Sequence, residues 1–123
     1  GLLLVKLIDF DMAYGHRKDA AGFGAALEAF DAWLPKLYAS MGSEDLLVIC
    51  ADHGCDPTTP GNDHSREYAP VLVWSKSMQK GVALGDRQSF ADVSATVSGF
   101  FGISEGVGVS FMEQLGLSVR TSS

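Results

Sequence analysis

Three histidines and a handful of aspartates are the residues of this 123-residue chain whose types and spacing could do chemistry. Asp52 and His53 are adjacent, His64 follows eleven residues after His53, and Asp11 and His16 lie five apart near the start. Carboxylate oxygens and imidazole nitrogens together suit a divalent cation that takes mixed donors, with zinc, manganese and iron all compatible. An isolated Asp-His pair more often caps a loop than binds a metal, and Asp9 reads as a strand-end hydrogen-bond acceptor. The grouping shifts that balance, because each histidine has an aspartate close by and all three fall in loops predicted at one sheet edge. Asp11, His16 and His64 can converge on one cation while Asp52 and His53 grip a second. Two such cations clamp the oxygens of a phosphoryl group and activate a nucleophile.

The elements that must position these residues follow from periodicity. Leu46-Leu47-Val48-Ile49-Cys50 is an apolar run of the kind buried on both faces of a sheet. Asp52 and His53 emerge where it ends, and Gly54 permits a sharp turn. Residues 2–8 read as an earlier buried strand, followed by a polar loop at 9–17 that carries Asp9, Asp11 and His16. Phe23, Leu27, Phe30, Leu34, Leu37 and Tyr38 recur at helical spacing from about Asp19 to Met41, with Pro35 expected to kink or break the helix near residues 31–35 and a stop at Gly42. A strand–helix–strand unit is right-handed and parallel in nearly all cases, so both following loops should leave on the same edge. The long loop 53–68 holds His64, and loops of that length are uncommon unless functional. A strand at 69–74, a surface loop at 76–88 with a short strand at 82–84, a helix at 89–101 capped by Ser89, and a helical turn at 111–115 complete the reading. The last residues, 121–123, read as a frayed end.

Composition sets the outer limits. Hydrophobic residues make up 46% and charged residues 20%, ordinary for a globular core. A net charge of −6, with only nine Lys and Arg and no basic run, excludes a nucleic-acid surface and leaves anionic substrates in need of local cations. The apolar runs are of strand length and the first residues lack a signal-peptide pattern, so neither membrane insertion nor secretion is indicated and the expected location is cytoplasmic. Cys50 and Cys55 form no disulfide framework and no metal clip, and are read as reduced. A buried-type strand starting at Leu2 suggests a piece of a longer chain, with an unpaired sheet edge through which it would self-associate.

Three runs are more specific than an Asp-His pair. They are Asp-Phe-Asp-Met-Ala-Tyr-Gly-His-Arg at 9–17, Ala-Asp-His-Gly-Cys-Asp-Pro-Thr-Thr-Pro-Gly-Asn-Asp-His-Ser-Arg-Glu-Tyr at 51–68, and Ser-Phe-Ala-Asp at 89–92. Together they resemble the C-terminal part of the phosphopentomutase family, within the alkaline phosphatase superfamily, over most of residues 3–115. The resemblance implies an α/β fold, a mostly parallel sheet with flanking helices in an alkaline-phosphatase-like core, here incomplete. It implies that Asp11, His16 and His64 hold one manganese ion and Asp52 and His53 the other, with one ion or none in a chain of this extent. It further implies a phosphorylated pentose as substrate, phosphate moving between the 1- and 5-positions of ribose or deoxyribose. On this reading residues 1–123 are the C-terminal portion of the metal-binding core domain. The family's nucleophilic threonine, a further aspartate ligand and its cap domain lie in segments this sequence does not contain. Thr58, Thr59 and Thr96 do not match the nucleophile's context. A cofactor-independent phosphoglycerate mutase or another superfamily phosphatase would share Asp52 and His53 but fits less of the 55–68 loop. A non-catalytic metal-binding or self-associating fragment is the alternative from a different class.

Overall fold

Phe10 is the apolar residue between two aspartates, and in the computed structural model, which describes residues 1–58, 60, 67–104 and 106–119, it sets the local structure around them. The segment Phe10–Gly15 is a π-helix rather than the expected loop. It leads into α1, Ala20–Ser40, and Phe10 lies edge-on to Phe23 and Phe30 of α1 at ring-centroid distances of 5.6 and 6.3 Å. Edge-to-face aromatic pairs of this kind contribute beyond the area they bury. With Phe10 held against α1, its polar neighbours are left to face elsewhere. Asp19 caps α1, its carboxylate accepting from the Gly22 amide at 2.9 Å, and a Cβ on Gly22 would collide with that carboxylate.

The π-helix ends in a Schellman motif, in which the Lys18 amide donates to the Gly15 carbonyl at 3.1 Å and the Asp19 amide to the Tyr14 carbonyl at 3.0 Å. The motif needs one residue in the left-handed region, and Lys18 fills it at φ 53°. The same pair of bonds closes two other helices, α2 (Ala91–Phe100) and α3 (Met112–Leu115), where the left-handed residues are Gly102 and Gly116 at φ 73° and 69°. A side chain in that region costs about 1 kcal/mol relative to glycine.

Several expectations are corrected. Residues 2–8 are not a strand: Leu3 and Leu4 are 86% and 90% exposed, and among the described residues none pairs with this segment. An extended segment becomes a strand only where a neighbour satisfies its backbone. Among the described residues the sheet is therefore one antiparallel pair, β1 (Leu47–Cys50) with β2 (Val71–Trp74), not a mostly parallel sheet. No helical crossover lies between those two strands among the described residues. β1 is half-buried at best and Cys50 is exposed, and among the described residues no helix packs on it. Helix α1 runs through Pro35 without a break and packs on the π-helix instead of the sheet. Residues 82–84 form no strand. The helix at Ala91–Phe100 and the turn at Met112–Leu115 are present, and Ser89 Oγ accepts from the Ala91 amide at 3.1 Å. No helix among the described residues is long and apolar enough to cross a membrane.

The chain divides into two compact units, Gly1–Met41 with Leu47–Val73, and Gly42–Leu46 with Trp74–Ser123. The second is organised by polar contacts. Arg87 donates through Nε to Asp92 at 2.8 Å, through Nη1 to Gln114 at 2.9 Å and through Nη2 to the Val109 carbonyl at 3.2 Å, and lies over the Phe111 ring. Asp92, buried, also accepts from the Val109 amide at 2.9 Å. The Val109 amide, opposed by partial desolvation and aided by Arg87, holds the Asp92 carboxyl below its ordinary value. The stability this contributes is present above the ordinary carboxylate range and is lost as pH falls through the lowered folded value. Gly108 is required because a Cβ there would strike the Ala91 backbone.

Thr96, wholly buried, joins the network to the core: its hydroxyl donates to the Asp92 carbonyl at 2.7 Å and accepts from the Phe111 amide at 3.0 Å. Thr96→Val keeps the shape but strands the Phe111 amide, which predicts a loss of about 2 kcal/mol. Urea unfolding checks this, and an unchanged midpoint would remove Thr96 from the account of stability.

Candidate metal centre

The first unit brings the sequence-predicted residues together in pairs. In the π-helix the His16 amide donates to the Asp11 carbonyl at 2.8 Å, a bond spanning five residues. An α-helix aligns residues three or four apart, whereas this wider turn aligns residues five apart. The Asp11 and His16 side chains meet as a result, His16 Nε2 lying 3.2 Å from Asp11 Oδ2.

The other oxygen of the same carboxylate faces the loop after β1. His53 Nε2 is 3.7 Å from Asp11 Oδ1 and 3.5 Å from Asp52 Oδ1. His53 Nδ1 lies 2.9 Å from the Gly54 carbonyl oxygen. A carbonyl only accepts, so Nδ1 must carry the proton, and in a neutral ring Nε2 then presents its lone pair to Asp11 and Asp52. Three electron-rich groups facing one another are favourable only with positive charge among them, either a proton on the ring or a cation between. A backbone carbonyl that fixes the tautomer of a histidine is also the usual support for a metal-ligating ring. The donor chemistry therefore fits a divalent cation. Among the described residues no group of three His, Cys, Asp or Glu is gathered tightly enough to close a site. His64 lies outside the described residues.

Close backbone approaches hold these loops in place. A Cβ on buried Gly15 would lie 3.1 Å from Cys55 Sγ and 3.5 Å from Asp11 Oδ1, so the π-helix and the 55–56 segment sit against each other at a position that favours glycine. A Cβ on Gly54 would collide with the Glu67 carbonyl, so the chain returns to the side of His53 at residue 67, three residues after His64 in sequence. Lys18 Nζ donates to the Asp56 carbonyl at 3.4 Å. The Asp56 carboxylate accepts from Thr58 Oγ1 at 2.6 Å and from the Thr58 amide at 2.9 Å. Those two bonds, with a smaller contribution from Lys18 and against some desolvation, hold Asp56 below the usual carboxylate value. Lys6 Nζ stands 3.8 Å from Asp52 Oδ2, but both groups are largely exposed and the pair adds little.

Reading the sequence alone leaves out Gly15, Lys18, Asp56 and Thr58. The Asp-Pro-Thr run at 56–58 carries a usable signal, since an aspartate two residues before a hydroxyl favours this local turn. Nothing in the sequence marks Lys18.

The family model described as the metalloenzyme superfamily matches residues 1–105. The chain belongs to the metalloenzyme superfamily. Its relatives include proteins named phosphopentomutase from Carboxydothermus hydrogenoformans, 53% identical over 115 residues, and Syntrophotalea carbinolica, 56% identical over 115. A phosphopentomutase from Caldanaerobacter subterraneus subsp. tengcongensis is 51% identical over 120 residues. These alignments cover 94%, 94% and 97% of this chain but only 30%, 29% and 30% of the relatives, so the chain spans about a third of their length. Membership of this superfamily makes metal dependence the family expectation for the Asp and His cluster.

The tautomer assignment can be checked without metal. Long-range 15N–1H NMR of the histidine-labelled protein should find neutral His53 protonated at Nδ1. Protonation at Nε2 would mean that the Gly54 carbonyl does not orient the ring.

Proposed function

We propose that this chain is the metal-binding C-terminal portion of a phosphopentomutase core domain, interconverting the 1- and 5-phosphates of ribose or deoxyribose. The observation that carries the reading is the Asp11 carboxylate set between the His16 and His53 rings, 3.2 Å from His16 Nε2 and 3.7 Å from His53 Nε2. The identity of about half the positions with proteins named phosphopentomutase, across almost the whole chain, supports the same reading. In it Asp11, His16 and His64 hold one manganese ion and Asp52 and His53 the other. Manganese, when bound, would neutralise charge on phosphoryl oxygens and so favour in-line transfer.

The chain's own residues do the holding and orienting. Asp11 stands between the two imidazoles, the Gly54 carbonyl sets the His53 ring, and the π-helix sets His16. None of the threonines within the described residues is placed as a phosphoryl acceptor. The Thr58 hydroxyl is committed to Asp56, and Thr96 is wholly buried. Thr59 and Thr121 lie outside the described residues. The resemblance to the phosphopentomutase family assigns the nucleophile and a further ligand for the Asp52/His53 ion to the longer protein, consistent with the share of the relatives that this chain spans.

The test is conversion of ribose 1-phosphate to ribose 5-phosphate with manganese. The full-length protein should turn over, His64→Ala should lower metal affinity and turnover together by about ten-fold or more, and the 123-residue chain alone should be inactive. An unchanged His64→Ala rate at limiting metal would remove His64 from the centre. Turnover by the isolated chain, abolished by Asp52→Ala, would overturn the placement of the nucleophile elsewhere.

A further inference from the structure

Of the three helix ends closed by the same pair of backbone bonds, two place glycine at the left-handed position and one places Lys18. Helix closure alone does not call for a lysine there, and glycine meets the same geometry without strain. What distinguishes the site is the reach of its side chain. Lys18 is half-buried, and its ammonium donates across 38 residues to the Asp56 carbonyl at 3.4 Å. Asp56 is in turn fixed by both donors of Thr58. On one side of this link the π-helix carries Asp11 and His16, and on the other the loop after β1 carries Asp52 and His53. The contact of Gly15 with Cys55 lies between the link and the His53–Asp11 approach.

We propose that Lys18 is a positioning residue for the metal centre, its ammonium tying the end of the π-helix to the Asp56 loop and so setting the distance between the two ligand pairs. This rests on the reading of those pairs as metal ligands. The left-handed backbone at Lys18 is part of the device, since it turns the chain into α1 while the side chain extends to the second loop.

The backbone and side-chain roles separate by substitution in the full-length protein. Lys18→Gly accepts the left-handed backbone and removes the ammonium, whereas Lys18→Arg keeps the positive charge and the backbone cost. Manganese affinity by calorimetry and the metal-free melting temperature are read for each. Lys18→Gly should weaken manganese binding by about ten-fold while melting at the same temperature or higher, and Lys18→Arg should recover most of the affinity. A Lys18→Gly protein that binds manganese as the parent does would reduce Lys18 to a helix-end residue and overturn the proposal. So would joint loss of affinity and folding in Lys18→Gly, which would make the role structural, or failure of Lys18→Arg to restore binding. If the parent itself binds no manganese, the ligand reading falls first and the positioning role falls with it. Normal binding by the parent with an unaltered Lys18→Gly protein overturns the positioning role alone.

Discussion

The first unit depends on one carboxylate shared between two imidazoles. Asp11 faces His16 from its own helix and His53 from a loop about forty residues away in sequence. Each approach has a separate cause. The π-helical turn converts a five-residue spacing into a side-chain contact, and the Gly54 carbonyl orients the His53 ring so that Nε2 faces the carboxylate. Phe10, packed edge-on against Phe23 and Phe30, holds the helix that carries Asp11 to α1. A change in any of these moves Asp11 relative to one imidazole or the other.

The approach of Asp11, His16, Asp52 and His53 to one another was more legible in the sequence than the architecture. Asp52 and His53 follow an apolar run that does form β1, so their place at a strand end was readable from pattern alone. The meeting of Asp11 with His53 was reached by assuming a parallel crossover from a strand at residues 2–8, and that strand does not form. The two loops meet instead because α1 packs on the π-helix through Phe10 and because Gly15 admits Cys55. Hydrophobic runs report the potential to be buried, and Leu2 to Leu4 have that potential without a partner among the described residues. A π-helix has no composition of its own, so Phe10–Gly15 could be read only as a loop.

Helix ends give the same lesson on a smaller scale. Gly102 is readable as a stop because glycine is the residue that left-handed closure prefers. Lys18 closes a helix by the same bonds and carries no such mark, since what offsets its backbone lies in a contact with Asp56. In the second unit the helix at Ala91–Phe100 followed from its periodicity, but the Arg87, Asp92 and Thr96 network did not, because its partners lie on Val109, Phe111 and Gln114. Arg87 accounts for that unit's order better than its apolar content does, since only Phe111, Met112 and Leu115 are buried hydrophobic residues among those described.

The central claim is that Asp11 with His16 holds one cation and His53 with Asp52 an adjacent one. Crystals of the full-length protein grown with manganese, with data collected at the manganese absorption edge, test it most directly. An anomalous peak within bonding distance of both the Asp11 carboxylate and a neighbouring histidine, with another on His53 Nε2, is the predicted result. Peaks elsewhere, or a His53 ring turned so that Nε2 faces away from Asp11, would contradict it.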